Sequence, residues 1–435
     1  MDLVTLFKNL PTDIQYLITN YYPKILFILP KADLIKYDWF KLIKMNFSLN
    51  YEREMSTNEE IMKVYSDNCT KSKIVCGDSH TIILIDGKIF GCGKNHCGQL
   101  GEGSVYAYAI CRFREINGIT KKIVEVACGI NHTMIRLKDG TLMACGNNSC
   151  GQLGIGDLIE KWVFTEIKGI DKYVTHVACG DYHTIIRLID GRLMSCGRNE
   201  QGQLGHGDER NRNMFTEIKE SPRNIASVIC GGFHSFILLT DGTLMSTGFN
   251  SAGALGLGDK LNRNTFTKIP GIPKNIAKVK CGTYHTIIRL TDGTLMASGK
   301  NASGELVLGD YIDRYVFTKI KMIKNIIDVT CGVFHTIVTL ADGTLMSYGD
   351  NRYGQLGLGD KLDRNMFCKI KEPRKNIAEV SCGSYHTLIR LTDGTLMGCG
   401  NNYYGQLSLG FDINNHRDKF VEITCHILPK RFSFL

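Results

Sequence analysis

The stretch ACGDYHTIIRLIDGRLMSCGRNEQGQLGHGD, residues 178–208, contains the pattern that decides the fold. It opens with Cys179, a glycine and, four positions after the cysteine, His183. This arrangement occurs seven times, with successive cysteines 50 to 52 residues apart. A period of this length is typical of proteins assembled from repeated structural units. We call the seven pairs the repeat signature: Cys76 with His80, Cys128 with His132, Cys179 with His183, Cys230 with His234, Cys281 with His285, Cys331 with His335, and Cys382 with His386.

Each copy has the features of β-structure. In the third copy, the apolar runs 184–188 and 193–196 flank Asp190 and Gly191, and an Asp-Gly pair between such runs is a strong hairpin signal. Residues 215–218 and the stretch before each Cys-Gly supply two more short strands. About four strands in about 50 residues match one propeller blade. We therefore predict an all-β, seven-bladed β-propeller over residues 72–426, with residues 420–423 or 61–65 completing a blade at the seam.

A second pattern supports this architecture. Gly-x-x-x-x-Gly-Gln-Leu-Gly-x-Gly-Asp occurs at residues 146–157, 197–208 and 349–360. In each of these copies it follows Asp-Gly-x-Leu-Met. It resembles the repeats of the regulator of chromosome condensation family of seven-bladed propellers. We expect the local departures from the pattern to loosen individual turns and to leave the ring intact; they are Ala254, Glu305, Val307, Ser408 and Phe411.

The resemblance also implies functions known in that family. Some members catalyse nucleotide exchange on a Ran-type small GTPase by means of an inserted wedge and acidic loop residues. The even spacing of the copies here shows no insertion, so exchange on such a GTPase is a second alternative only. Another branch senses ultraviolet light through a cluster of tryptophans, whereas this chain has two, Trp39 and Trp162.

A cysteine and a histidine four residues apart could be metal ligands or a nucleophile with its base. Two residues per blade fall short of the four ligands of a structural zinc site, and no copy has a third residue that would orient a catalytic pair. We therefore predict structural roles, with each cysteine in the core and each histidine bonded to the backbone of a turn. The glycine clusters lack the strand-loop-helix context of a phosphate-binding loop. We predict no catalytic site, no metal, no cofactor and no enzymatic activity.

Positive charge is concentrated in the repeats. The net charge is +9, and residues 72–435 hold all of the excess, with 43 basic against 34 acidic side chains. A basic residue precedes the phenylalanine of most copies by three positions, and we call this set the basic rim: Lys161, Arg212, Arg263, Arg314, Arg364 and Arg417. An open rim would contact nucleic acid, chromatin or an acidic protein. Alternatively, the rim pairs with aspartates four residues earlier, which are Asp208, Asp259, Asp310 and Asp360.

A ring of near-identical units should bind a specific partner where its symmetry fails. Three places differ from the other copies: residues 102–113 with Tyr106 and Tyr108, the position of Glu305, and residues 411–418. We expect an interaction scaffold whose loop face binds its partner.

Residues 1–71 lack the repeat and carry apolar residues at helical spacing. LPTDIQYLITNYYP, residues 10–23, resembles an F-box, which docks on the Skp-type adaptor of cullin ubiquitin ligases, and the matching positions are Leu10, Pro11, Asp13, Ile14 and Ile18. The alternative is a helical cap on the propeller. Residues 427–435 form a tail. The start has neither a secretion signal nor a membrane span, so we expect an intracellular protein with free thiols in a reducing compartment.

Overall fold

The computed structural model describes residues 15, 36–42, 73–171, 173–320, 325–373, 377–410 and 415–424. The chain divides into two compact units, Met1–Ser72 and Lys73–Leu435. In the first unit residues 39–42 are helical, and Trp39 and Leu42 are fully buried. In the second unit the described residues form 28 strands in seven four-stranded antiparallel sheets. The predicted seven-bladed, all-β architecture is confirmed.

Each of the first four blades uses four consecutive strands, numbered here in chain order. The first is β1 (Lys73–Cys76), β2 (His80–Ile85), β3 (Lys88–Lys94) and β4 (Ala109–Glu115). The second is β5 (Ile123–Cys128), β6 (His132–Leu137), β7 (Leu142–Gly146) and β8 (Lys161–Glu166). The third is β9 (Val174–Cys179), β10 (His183–Leu188), β11 (Leu193–Gly197) and β12 (Arg212–Glu217). The fourth is β13 (Ile225–Cys230), β14 (His234–Leu239), β15 (Leu244–Gly248) and β16 (Arg263–Lys268).

The last three blades follow the same order. The fifth is β17 (Ile276–Cys281), β18 (His285–Leu290), β19 (Leu295–Gly299) and β20 (Arg314–Lys319). The sixth is β21 (Ile326–Cys331), β22 (His335–Leu340), β23 (Leu345–Gly349) and β24 (Arg364–Lys369). The seventh is β25 (Ile377–Cys382), β26 (His386–Leu391), β27 (Leu396–Asn401) and β28 (His416–Ile423).

All four strands of each blade come from one repeat, so the seam is closed by contacts between the first and seventh blades and not by a sheet that both ends share. Residues 420–423 lie in β28, the outer strand of the seventh blade. The alternative segment, residues 61–65, lies outside the described residues. The first strands of the first and seventh blades, β1 and β25, contact each other. One apolar cluster joins Ile74 and Phe90 of the first blade to Leu388 and Leu396 of the seventh.

The same arrangement recurs around the ring. First strands of adjacent blades contact one another, so they are the innermost strands. Second strands are buried almost along their whole length, as in β10 and β18. Each apolar cluster takes residues from two neighbouring blades, so the core consists of seven inter-blade layers. Burying one large aliphatic side chain in such a layer contributes about 1.5–3 kcal/mol.

The strand order divides the loops between two faces. The turns from first to second strand and the loops from third to fourth strand lie on one face, which we call the loop face. The hairpin turns from second to third strand lie on the opposite face, the hairpin face. In the first blade Asp86 and Gly87 both have positive φ, of 50° and 90°, as a two-residue type I′ hairpin requires. Within the described ranges no helix is long and apolar enough to cross a bilayer.

Candidate functional site

The seven signature histidines link each blade to the next. In every copy the ring atom Nε2 lies 2.8–3.5 Å from a threonine or serine hydroxyl of the following blade. The hydroxyl of Thr133, for example, donates to the carbonyl oxygen of Gln99 at 2.7 Å. Nε2 of His80 must therefore donate to Thr133. The expected partner, the backbone of a turn, is replaced by a side chain of the neighbouring blade.

The glycine of the signature provides space for that histidine. A Cβ atom on Gly180 would lie 2.1 Å from Cε1 of His183 and 2.5 Å from the carbonyl oxygen of Gly231 in the next blade. The signature cysteines behave as small packing residues, and the thiol of Cys128 points toward the carbonyl oxygen of Val75 in the first blade. Every cysteine in the described part of the chain is a free thiol.

The histidines are neutral at physiological pH. Burial lowers their pKa from 6.5 to about 3 or 4, because a charged imidazolium loses its hydration inside the protein. Among the described residues, no group of three or more His, Cys, Asp or Glu side chains is placed to hold a metal ion. The signature thus acts as a set of inter-blade fasteners.

The basic rim starts the outer strands on the loop face, and most of it is paired. Lys161 lies 2.7 Å from Asp157, and four arginines make the equivalent ion pair at 2.5–2.8 Å: Arg212 with Asp208, Arg263 with Asp259, Arg314 with Asp310, and Arg364 with Asp360. Nη1 of Arg417 donates to the carbonyl oxygen of His416. The rim therefore braces its own loops in five blades.

The same loops share a recurring set of hydrogen bonds made by an asparagine, which the sequence analysis did not identify. Oδ1 of Asn250 accepts from the backbone of Leu255, and Nδ2 donates to the backbone and side chain of Asp259. The same bonds recur at Asn148, Asn199, Asn301 and Asn351. An asparagine stands at this position in every copy of the repeat. This recurrence in the sequence could have indicated its structural role. Asparagine, aspartate and arginine thus form one loop-bracing unit.

The inner part of the loop face carries an arc of aromatic side chains, also missed in the sequence. The residue before each signature histidine is aromatic and half-buried in blades three to seven: Tyr182, Phe233, Tyr284, Phe334 and Tyr385. Ring centroids of successive members lie 6.2, 5.7 and 6.2 Å apart from the first to the fourth. Ser79 and Asn131 take this position in the first two blades. We call the five rings the aromatic arc.

Two cations cover the first four rings of the arc. The guanidinium of Arg198 lies 5.9 Å from the ring centre of Tyr182 and 5.7 Å from that of Phe233. Nζ of Lys300 lies 5.6 Å from Tyr284 and 5.2 Å from Phe334. These are cation–π distances. In the first blade, Nζ of Lys94 lies 5.2 Å from the ring centre of Tyr404, a residue of the seventh blade outside the arc.

The ring axis contains a cavity of about 140 Å³, lined by the Cys-Gly pairs and the residue after each pair. In blades three to seven, the next residue along the chain belongs to the arc. Two of these residues are acidic, Asp78 and Asp181. Burial, with a smaller effect of Asp78, raises the pKa of Asp181 to about 7. The centre of the loop face therefore combines a small polar depression with a partly apolar border.

Exposed apolar side chains mark the outer part of the loop face. Ile159, Leu261, Ile312 and Leu362 occupy equivalent loop tips and are 66–67% exposed. Arg210 takes this position in the third blade. We call the four apolar tips the apolar crown. A set of large apolar side chains repeated on one face is the kind of surface that partner proteins cover.

The three symmetry-breaking places have different outcomes. In the first blade Tyr106 is 95% exposed and Tyr108 lies 5.8 Å from Tyr404, centre to centre. Glu305 is fully buried, and burial raises its pKa to about 7. Residues 411–414 lie outside the described residues. The first blade therefore extends the surface beside the arc, whereas Glu305 belongs to the interior.

The predicted adaptor-docking residues are not among those the structure describes, so this prediction stays untested; they are Leu10, Pro11, Asp13, Ile14 and Ile18. Residues 427–435 also lie outside the described residues.

A seven-bladed propeller closed by Cys-Gly-x-x-His repeats defines a class of interaction domains, and sequence profiles place the chain within it. The profile of the RCC1-like domain matches residues 48–332. Profiles of the regulator of chromosome condensation (RCC1) repeat match residues 326–355, 342–389 and 377–406. The chain belongs to the RCC1-like domain family.

Individual relatives share part of their length with this chain. It is 32% identical to the ultraviolet-B receptor UVR8 of Arabidopsis thaliana over 248 residues, which cover 56% of each protein. It is 34% identical to the probable E3 ubiquitin-protein ligase HERC6 of Homo sapiens over 53% of this chain and 23% of HERC6. It is 30% identical to the human X-linked retinitis pigmentosa GTPase regulator over 57% of this chain and 30% of that protein. The chain thus matches about half or less of these relatives.

Solved structures share the fold. Human WBSCR16 superposes with a TM-score of 0.66 at 21% identity, covering 74% of this chain and 88% of that one. Prp20p of Saccharomyces cerevisiae, whose structure was described with its binding properties to Gsp1p and histones, gives 0.63 at 21% identity, covering 72% and 80%.

Proposed function

We propose that this protein is a non-enzymatic interaction module that binds a partner protein through its loop face. The aromatic arc carries the proposal. Aromatic side chains and arginine are enriched where proteins bind one another. The apolar crown adds contact area around the arc, and the same face of the first blade adds the exposed ring of Tyr106.

The charges on this face favour a partner segment that is both apolar and acidic. Arg198 and Lys300 lie over rings of the arc, and Lys94 lies over the ring of Tyr404. There they would meet carboxylates of a bound segment while its apolar side chains contact the arc. Arg198 also pairs with Glu200. Lys94 and Lys300 are therefore the cations we expect to contribute most to the attraction.

A protein is favoured over nucleic acid because of the rim. Phosphate recognition needs cations that are available to replace counterions. Five of the six rim residues instead hold aspartates of their own loops. The DNA or chromatin interpretation keeps the net charge of +9 in its favour but has no row of unpaired rim cations to support it.

Small GTPases are the first partner class to test. One relative bears the name of a GTPase regulator, and the structure of Prp20p was described with its binding to Gsp1p. The adaptor interpretation of residues 10–23 rests on the sequence resemblance alone.

The experiment compares two faces of one molecule. The full chain would be used to purify partners from its native source in three forms: wild type, the double variant Tyr284→Asn with Phe334→Ser, and Ile189→Ser. The double variant introduces the residue types that blades two and one carry at this position, Asn131 and Ser79. Ile189 is 66% exposed on the hairpin face and is the matched control.

We expect a partner that wild type and Ile189→Ser retain and that the double variant loses by at least about tenfold, as expected for interface anchors. Thermal unfolding would verify that all three forms are folded. Retention by the double variant together with loss by Ile189→Ser would place binding on the hairpin face and contradict the proposal.

A further inference from the structure

A second surface, on the innermost strands, differs from blade to blade in charge. The third residue before each signature cysteine and the residue opposite it on the second strand face the next blade. In the second blade these are Glu125 and Arg136, whose charges balance at 2.8 Å, and Glu125 also contacts His176 of the third blade. In the fourth blade these are Ser227 and Leu238. Leu238 and Ile229, which lies two positions after Ser227, pack with Val279 and Ile288. Balanced or apolar layers are what an inter-blade interface requires.

The fifth blade breaks this pattern. Its inner strand carries Lys278 and Lys280 on one side, and Lys278 is paired in register with Arg289 on the second strand. Like charges placed directly opposite each other on a sheet are destabilising. The one carboxylate close to them is that of Asp328 on the sixth blade, which contacts Nζ of Lys278. Three cations therefore meet one anion among the residues described there.

The three cations are partly accessible to solvent, and few neighbouring anions balance their charge. The side chain of Lys278 is 33% exposed, and Lys280 and Arg289 are partly exposed. Nε of Arg289 is buried without a hydrogen-bond partner among the described residues. Burial, followed by the nearby charge of Lys280, lowers the pKa of Lys278 to about 8. Lys280 immediately precedes Cys281, which lines the axial cavity.

We propose that Lys278, Lys280 and Arg289 form a binding site for a phosphate group between the fifth and sixth blades, beside the axial cavity. Two ammonium groups and a planar guanidinium suit a multiply charged oxyanion, because each can donate charge-assisted hydrogen bonds to a different oxygen. A bound dianion would satisfy Nε of Arg289 and remove the repulsion between Arg289 and Lys278. The site is independent of the loop-face proposal.

The fourth blade supplies the matched variant. The changes Lys278→Ser, Lys280→Ile and Arg289→Leu convert the site to the residues found there, Ser227, Ile229 and Leu238. A Lys319→Ser variant removes a cation from the outer strand of the same blade and is the charge control. Thermal unfolding of the full chain would be followed while inorganic phosphate replaces chloride at constant ionic strength. Parallel titrations would use phosphoserine and acetate.

We expect phosphate to raise the Tm of wild type and of Lys319→Ser saturably, by on the order of 2 °C at tenfold excess over Kd. The triple variant should show no saturable rise, and without phosphate its Tm should fall below that of wild type because Asp328 loses its ion pair with Lys278. Line broadening of the ³¹P resonance of phosphate should depend on the same three residues. An equal effect of phosphoserine would assign the site to phosphate esters as well, and a weaker effect would assign it to the free anion.

Three results would overturn the proposal: equal phosphate effects in wild type and the triple variant, which indicate general salting-out; a rise with acetate as large as that with phosphate; or absence of ³¹P broadening with folded wild-type protein.

Discussion

Nε2 of His386 in the seventh blade lies 3.1 Å from Oγ1 of Thr81 in the first blade, and this hydrogen bond crosses the seam of the ring. Oγ1 of Thr81 also donates to the carbonyl oxygen of Gln406 at 2.9 Å. The seam therefore uses the same fastener as the six other interfaces. In addition, the carboxylate of Glu379 accepts from the backbone of Ile74 at 3.1 Å.

Removing the hydroxyl at the seam should destabilise the whole propeller. Thr81→Val keeps the shape of the side chain but leaves Nε2 of His386 buried without its partner. The carbonyl of Gln406 then keeps only the weak thiol donor of Cys92. We expect a loss of about 1–3 kcal/mol in the free energy of unfolding. Urea unfolding of the full chain would measure it.

Two further variants serve as a comparison and a control for Thr81→Val. Thr286→Val makes the same change inside the ring, between the fourth and fifth blades, and we expect a similar loss. Thr216→Val changes an exposed strand position and should cost less than about 0.5 kcal/mol. A seam variant no more costly than Thr216→Val would show that the bond between His386 and Thr81 does not hold the ring.

The signature glycine should tolerate no side chain. In Gly180→Ala the new Cβ would overlap the ring of His183 and the backbone of Gly231, so we expect a loss of about 3 kcal/mol or more. Gly169→Ala is the control, because its Cβ would meet no atom within 4 Å and only the φ of 83° is unfavourable. That change should cost about 1 kcal/mol. Equal Tm values for the two variants would contradict the packing argument.

Acid should weaken the propeller in the window set by the signature histidines. Their folded pKa of about 3 or 4 lies below the ordinary 6.5, so the unfolded chain binds more protons in between. Their contribution is complete above about pH 6.5 and is lost as the pH falls toward 4. Each additional proton that the unfolded chain binds changes the free energy of unfolding by about 1.4 kcal/mol per pH unit.

Two buried carboxyl groups act in the opposite direction. The pKa of Asp181 and that of Glu305 are raised to about 7, so both groups stabilise the folded state increasingly as the pH falls from 7 toward 4. They offset about two of the seven histidines. Urea unfolding between pH 7 and pH 4.5 should still show stability falling with acid, with a shallower slope for His183→Gln. A flat profile would contradict the neutral, buried histidines.

The rim ion pairs should couple within a loop. Nη2 of Arg263 lies 2.5 Å from Oδ2 of Asp259, and Nη1 donates to the carbonyl of Leu261. A double-mutant cycle with Asp259→Asn and Arg263→Gln should give a coupling of about 0.5–1 kcal/mol at neutral pH. The arginine lowers the pKa of Asp259 below 3.8, so the coupling should persist above pH 3.8 and vanish as the pH falls below it. Zero coupling at neutral pH would mean that the rim is not held by these pairs.

Much of the ring could be predicted from the sequence, because the number, length and strand pattern of the repeats are visible in it. The Asp-Gly pairs predicted the hairpins, and the 50- to 52-residue spacing predicted the blades. Repetition also argued against a metal or catalytic role for Cys179 and His183. These inferences needed only local patterns and counting.

The candidate binding surfaces are built from residues that lie far apart in the sequence. The partner of His183 is Ser235, 52 residues away, and the rings of Phe233 and Tyr284 stack although 51 positions separate them. The pairing of Arg263 with Asp259 was one of two interpretations until the loop geometry was known.

The sequence by itself determined the unit and the number of its copies, since hydrophobic alternation and turn residues act over a few positions. Only the tertiary structure decided which side chains of neighbouring units meet, which rim charges are neutralised and which remain in excess at Lys278 and Arg289. The physical reason is that burial and charge compensation depend on distances between blades, and those distances exist only once the ring has closed.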